Sequence, residues 1–223
     1  MSIKKNVPVI TIDGPTASGK GTIARKLSDV LGWSILDSGA IYRSLAFYII
    51  LRKVSLVDIN SIVDIAREIE FSFINKKIFI DGVDVSHDIR SEEVGHTASI
   101  ISANKDVRHA LLDIQRSFLE PPGLIADGRD MGAVVFPFAS LKIFLTANID
   151  IRVERRYKQL IDDKVSVNMG NLRCAILERD LRDSERLVSP LIPDSDAYIL
   201  DNSYITDNET VNVILNLWKN RLC

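Results

Sequence analysis

Two cysteines in 223 residues, Cys174 and Cys223, are too few for a disulfide framework or a cysteine-based zinc site. No apolar run reaches the length needed to cross a bilayer, and Met1 to Asn6 lacks the long apolar stretch of a signal peptide. A cytoplasmic protein without a membrane partner is therefore expected. Neither sign of charge dominates: 28 Lys and Arg face 30 Asp and Glu, a net charge of −2. The chain offers no polyelectrolyte field for nucleic acid, so any anion must be caught by local clusters. Low-complexity tracts and internal repeats are missing too. The three histidines, His87, His96 and His109, show no metal-ligand spacing and accompany no Ser or Cys nucleophile motif. They are read as structural or surface residues.

What is present is an ordinary apolar fraction, 46%, in a chain long enough for one substantial α/β core or a core with small attached pieces. Five apolar runs read as core strands: Val7 to Ile12, Trp33 to Leu36, Gly123 to Ala126, Leu141 to Thr146 and Ala197 to Leu200. Four end in or near Asp13, Asp37, Asp127 and Asp201, and helical patterns separate them. This alternation predicts a five-stranded parallel sheet with helices on both faces, its ligands outside the carboxyl ends of the strands. Between Ile69 and Ile89 the period changes to two, with turns at Asn75 to Lys77 and at Asp81-Gly82, which predicts a small antiparallel meander inserted in the core. Helices over Ser91 to Ile101 and Lys105 to Leu119 follow, stopped by Pro121-Pro122. Trp33 and Trp218 read as packing residues.

The stretch Gly14-Pro15-Thr16-Ala17-Ser18-Gly19-Lys20-Gly21-Thr22 lies between the first strand and an amphipathic helix that runs to Leu31 and ends at Gly32. In that setting loop amides and the positive end of the helix dipole converge on one point, where Lys20 adds a full charge. Gly14 and Gly19 let the backbone curl around an anion. A phosphate-binding loop is the reading. Gly21 stands where the general pattern has Ser or Thr, and the hydroxyl comes at Thr22, which weakens direct ligation of Mg²⁺ by the loop.

Three further segments carry chemistry. In Leu36-Asp37-Ser38-Gly39-Ala40-Ile41-Tyr42-Arg43, Ser38 is the expected N-cap of a helix whose first turn brings Tyr42 and Arg43, a receptor for a second phosphate. In Leu124-Ile125-Ala126-Asp127-Gly128-Arg129-Asp130-Met131-Gly132, a strand ends in Asp127, as a Mg²⁺-holding carboxylate would, and Arg129 and Asp130 follow on a loop that Gly128 and Gly132 make flexible. Arg179, Arg182, Asp183 and Arg186 share a helix face, with Cys174, Leu177 and Leu181 opposite as its buried side. Arg152, Arg155, Arg156 and Gln159 repeat that spacing upstream. Such stripes alone are solvated, salt-bridged faces. Flanking a polar loop, Asp162 to Asn171, in a phosphate-binding protein, they read as a lid that closes over a transferring phosphoryl group.

These segments together resemble the bacterial-type cytidylate kinases, P-loop nucleoside monophosphate kinases, over nearly the whole chain. The Gly19-Lys20-Gly21-Thr22 ending is itself closer to monophosphate kinases than to regulatory GTPases. The resemblance implies a P-loop NTPase-type fold with a core over about 1–60 and 120–223, a substrate-side insertion over about 61–119 and a lid over about 152–172. It implies that Gly14 through Thr22 bind ATP and that Lys20, Asp127, Arg155 and Arg179 serve catalysis, with Asp127 placing Mg²⁺ directly or through water. Ser38, Tyr42, Arg43, Arg129 and Arg179 would hold the phosphate of CMP or dCMP. Ser99, Arg108 and Asp130 would face cytosine, Asp183 would take the ribose hydroxyls, and Arg186 would join this acceptor set. A monomer is expected. Two other classes stay open: a phosphate-loop kinase for another acceptor such as UMP or AMP, and a GTPase-type switch. The switch needs an Asn-Lys-x-Asp guanine reader, and the chain has only Asn104-Lys105-Asp106-Val107.

Overall fold

The computed structural model describes residues 7–74, 77–162, 165 and 167–222. The chain divides into two compact units, 1–36 with 118–223, and 37–117.

The first unit is built on β1 (Val9–Asp13), whose sequence Val-Ile-Thr-Ile-Asp is buried throughout. A strand hidden on both faces carries a near-continuous apolar run rather than an alternating pattern. It is the middle of a five-stranded parallel sheet ordered β2 (Ser34–Asp37), β6 (Leu124–Gly128), β1, β7 (Leu141–Thr146), β8 (Tyr198–Asp201). Ile10 pairs with Ile125 on one side and Leu141 on the other, and Thr146 with Asp201. The five expected strands are thus all present. Ile10, Ile12, Ile125, Leu141, Ile143 and Leu145 pack against Ile23 and Leu27 of α1 (Lys20–Leu31) and Val211, Ile214 and Trp218 of α8 (Asp207–Leu222). At ~1.5–3 kcal/mol for each large apolar side chain removed from water, this cluster dominates the stability of the unit. Trp33 meets Trp218 edge to face at 5.2 Å. Gly32 ends α1 in the left-handed conformation (φ 67°), its N–H on the Ser28 carbonyl. Two further helices, α6 (Ile149–Asp162) and α7 (Met169–Glu185), join through Val153, Leu160, Leu172 and Ile176.

The second unit holds α2 (Ser38–Leu51), α3 (Ile59–Glu68), the strands β3 (Phe71–Ile74), β4 (Lys77–Ile80) and β5 (Val83–Asp84), then α4 (Glu92–Ile101) and α5 (Lys105–Ser117). The sequence predicts an insertion from about residue 61; in the fold α2 already packs on α4, and this unit starts at Asp37. The meander is antiparallel, with Phe71 opposite Ile80 and Phe79 opposite Asp84. Its second turn is at Asp81-Gly82, both with positive φ (47° and 80°), as a tight hairpin turn requires. Residues 75 and 76 of the first expected turn lie outside the described residues. Asp58 caps α3 through the Ser61 N–H and Ser91 caps α4 through the Val94 N–H.

Candidate active site

At the carboxyl end of β1 the chain turns through Gly14 (φ 150°), Ala17 (φ 59°) and Gly19 (φ 92°) into α1. Gly19 has no side chain with which to cap the first N–H groups of the helix, which leaves that end suited to an anion. Lys20, 6% exposed, folds back over the loop: its Nζ donates to the Pro15 carbonyl (2.7 Å) and to Ser18 Oγ (3.3 Å). Burial, and then the Arg129 charge, lower its pKa to about 7, with Arg179 acting the same way and Asp127 and Asp13 opposing. Lys20, Asp127, Arg129 and Arg179 therefore share one electrostatic field.

The loop is gripped from outside at two residues. Thr16 gives its N–H to Asp180 Oδ1 (3.0 Å), receives Arg152 Nη1 on its carbonyl (3.1 Å) and Arg129 Nη2 on its hydroxyl (3.1 Å). The Ser18 carbonyl receives Asn202 Nδ2 (3.1 Å) and Arg155 Nη1 (3.3 Å). Arg155 is further held by the side chain and carbonyl of Asn202 (2.9 and 2.8 Å). The motifs do not point to Asn202, which is fully buried; its only signal is its place directly after β8, at the carboxyl edge of the sheet.

The exit from β6 is not a flexible glycine loop. Gly128 is the last residue of the strand, and Met131–Val135 forms a π-helical turn, with the Phe136 N–H on the Met131 carbonyl (2.7 Å) and the Val135 N–H on the Asp130 carbonyl (3.2 Å). The glycines serve close packing: a Cβ at 128 would stand 2.7 Å from Met131 Cγ, and one at 132 would stand 3.0 Å from Thr11 Oγ1 and Lys142 Cδ. Asp13 fastens the turn by accepting the N–H groups of Met131 (2.8 Å) and Gly132 (2.9 Å). Burial outweighs those two bonds and raises its pKa to about 6, with neighbouring Asp130 adding to the rise. The folded state then holds the Asp13 proton more tightly than the unfolded chain, and this residue's contribution to stability falls as pH rises from about 4 to 6. In Asp13→Asn that slope is expected to vanish. The unfolding free energy of the variant, measured in denaturant against wild type, should gain ~2 kcal/mol relative to wild type across the window and stay level above it. A constant difference at all pH values would reject this assignment.

Helix α7 is oriented differently from its sequence pattern. Cys174, Leu177 and Leu181 are exposed, while Leu172, Ile176 and Asp183 are buried. The i, i+4 pair Leu172 and Ile176 packs on α6, and the same side continues into Asp183, which accepts from Arg129 Nε (2.8 Å). Burial works against the charge on Asp183, yet Arg129 and then Arg179 hold its carboxyl below the usual range. Arg186 lies just past the helix end and donates to the Ser189 carbonyl. Of the lid loop, residues 163, 164 and 166 lie outside the described residues.

The second unit carries its own group of candidates. Asp37, not Ser38, caps α2: its extended backbone at the end of β2 lets its carboxylate accept the Ala40 N–H (2.9 Å). Ser38 is the first helical residue and donates to Gln115 Oε1 (2.7 Å). Arg43 Nη1 donates to the carbonyls of Ile89 (2.9 Å) and Ser91 (3.2 Å), with room made by Gly95. The Arg108 guanidinium lies 5.7 Å from the Tyr42 ring centre and donates to the Ser102 carbonyl (3.0 Å). Ser99 is buried on α4. His87, His96 and His109 are exposed.

A five-stranded parallel sheet with a phosphate loop between its central strand and first helix defines a P-loop nucleotide-binding protein. The chain belongs to the cytidylate kinase family, whose model matches residues 10–220, and it is by that membership a phosphotransferase. It is 51% identical over 211 residues to the cytidylate kinase of Bordetella pertussis (strain Tohama I), covering 95% of each chain. It is 50% identical over 212 residues to that of Ralstonia pickettii, covering 95% of this chain and 92% of the other. Against the Nitrosomonas europaea enzyme the identity is 46% over 215 residues, 96% of each. No described helix is long and apolar enough to cross a membrane.

Proposed function

We propose that the protein transfers the γ-phosphoryl group of ATP to CMP or dCMP, giving ADP and CDP or dCDP. The observation that carries this reading is the buried Lys20 at the start of α1, sharing its field with Arg129, Arg179 and Asp127, in a chain of the cytidylate kinase family. In the step an oxygen of the CMP phosphate bonds to the γ-phosphorus while the bond from that phosphorus to the ADP oxygen breaks. The acceptor oxygen is already anionic at neutral pH, so no general base is required. The protein's work is alignment and neutralisation of charge.

In this reading Lys20 and the loop of residues 14–22 hold the donor phosphates, through amides other than those of Thr16 and Thr22, which are bonded to Asp180 and Gly19, and Arg155 supports the loop from α6. Ser38, Tyr42, Arg43, Arg129 and Arg179 take the acceptor phosphate, Asp183 the ribose and Arg186 the neighbouring positions. The residues also fit Mg²⁺. Among the described residues no cluster of three or more His, Cys, Asp or Glu could cage a metal, but a cation that keeps its waters and phosphate oxygens needs only one or two carboxylates. Asp127 is buried beside the loop, where a Cβ on Gly21 would crowd its Oδ2 at 3.2 Å, so glycine at 21 leaves that carboxylate space. Mg²⁺ held there would neutralise the phosphate oxygens.

For the base, Ser99, Arg108 and Asp130 are the proposed readers. Cytosine offers a donor at N4 and acceptors at N3 and O2, which a carboxylate and a guanidinium can match. Uracil reverses the polarity at N3 and C4 and leaves buried groups unpaired at ~1–3 kcal/mol each. Asp130→Ala is expected to raise KM for CMP ~10-fold with ATP binding unchanged, and titration of each nucleotide against the variant checks it. An equal loss for ATP would refute the assignment. The function itself is tested by ADP release from ATP and Mg²⁺ across CMP, dCMP, UMP and AMP. Turnover of another monophosphate with CMP ignored would overturn the reading.

A further inference from the structure

We infer that the Asp180–Arg152 ion pair is a positioning device that fixes α7 in register on the phosphate loop, aligning acceptor-side groups with the donor. This rests on the kinase reading above. The observation is the hold on Thr16. Its N–H goes to Asp180 Oδ1 (3.0 Å), its carbonyl receives Arg152 Nη1 (3.1 Å), and its hydroxyl receives Arg129 Nη2 (3.1 Å), while Arg129 pairs with Asp183. Arg152 is itself fixed: it is 8% exposed, its Nε donates to the Ala147 carbonyl (3.0 Å), and its Nη1 pairs with Asp180 Oδ2.

Asp180 lies one residue after Arg179 and three before Asp183, on the same stretch of α7. A carboxylate on the Thr16 amide therefore sets the height and rotation of the segment that carries both of these groups. Donor and acceptor in phosphoryl transfer must meet in line, and small errors in that alignment cost rate more than affinity. Neither Asp180 nor Arg152 needs to touch a nucleotide for this role. They act through Thr16, Arg179 and Asp183.

The test compares wild type, Asp180→Ala, Asp180→Asn and Arg152→Met, with kcat referred to sites counted by binding of a non-hydrolysable ATP analogue. Asp180→Ala should lower kcat per site about tenfold, with KM for CMP and Kd for the analogue each within about twofold of wild type. Asp180→Asn keeps an acceptor for the Thr16 N–H and should recover most of the loss. Arg152→Met should fall between the two. Wild-type kcat per site in Asp180→Ala overturns the inference. So does a loss that follows the melting temperature or weakens both nucleotides alike, since that is a stability role. Absence of CMP turnover in wild type is a different result, which overturns the kinase reading first and this inference with it.

Discussion

Replacing Lys20 by alanine is expected to lower kcat with ATP and CMP by ~10²-fold or more, the scale on which a preorganised electrostatic group contributes. The geometry explains why the loss should be large and should not be a folding defect. Lys20 is a cation held out of water beside Arg129 and Arg179, with its pKa brought down to about 7. The folded state binds this proton less tightly than the unfolded chain, so from about pH 7 up to the ordinary lysine range the stability attributable to Lys20 rises with pH. Alanine removes a strained charge and should leave the melting temperature at neutral pH equal or higher. A bound triphosphate supplies the counter-charge, which makes nucleotide binding take up a proton above about pH 7. Calorimetric titration in two buffers of different ionisation enthalpy should detect that uptake in wild type and not in Lys20→Ala. Near-normal turnover in the variant would remove Lys20 from the mechanism.

The parts legible in the sequence were those decided by local pattern. A strand buried on both faces, such as β1, shows as a near-continuous apolar run, and a helix that ends at Gly32 announces its own stop. The other strands of the sheet are short apolar runs too, even β8, which is largely exposed, so all five and α1 could be read directly. The period-two stretch around Phe71 and Phe79 likewise marked the meander. What could not be read were choices between two equivalent local solutions. Asp37 and Ser38 are both good caps, and only the backbone at the end of β2 decides for Asp37. On α7, one stripe carries Leu177 and Leu181 and another Leu172 and Ile176, and contact with α6 selects the second. Gly128 and Gly132 looked like hinge residues because a missing side chain signals freedom and close packing alike; Met131, Thr11 and Lys142 decide for packing. Asn202 and Asp180 were hidden for a further reason. Their partners, Ser18 and Thr16, lie more than 160 residues away in the chain, and no periodicity encodes such a pairing.

Gly14→Ala is expected to be the most disruptive single substitution in the loop, costing ~4 kcal/mol and abolishing nucleotide binding in whatever protein still folds. A Cβ built on Gly14 would stand 2.0 Å from the carbonyl oxygen of Leu145 and 3.0 Å from its carbon. Both atoms are backbone of β7, where Leu145 is paired with Leu200 of β8, so the obstacle cannot swing away as a side chain would. The backbone at Gly14 also has φ 150°, a conformation that L residues rarely adopt. Gly32 is the comparison without a clash. It has φ 67° with no atom within 4 Å of a built Cβ, so Gly32→Ala carries only a left-handed backbone penalty, ~1 kcal/mol, whereas Gly14 at φ 150° adds the collision to a backbone penalty of its own. Denaturant midpoints for the two variants, with binding of an ATP analogue measured on each, decide the matter. If both lose the same stability, close approach to Leu145 is not what requires glycine at 14. If Gly14→Ala loses several times more and also loses the nucleotide, the first residue of the loop is glycine because the central strand must turn out of the sheet directly against its neighbour.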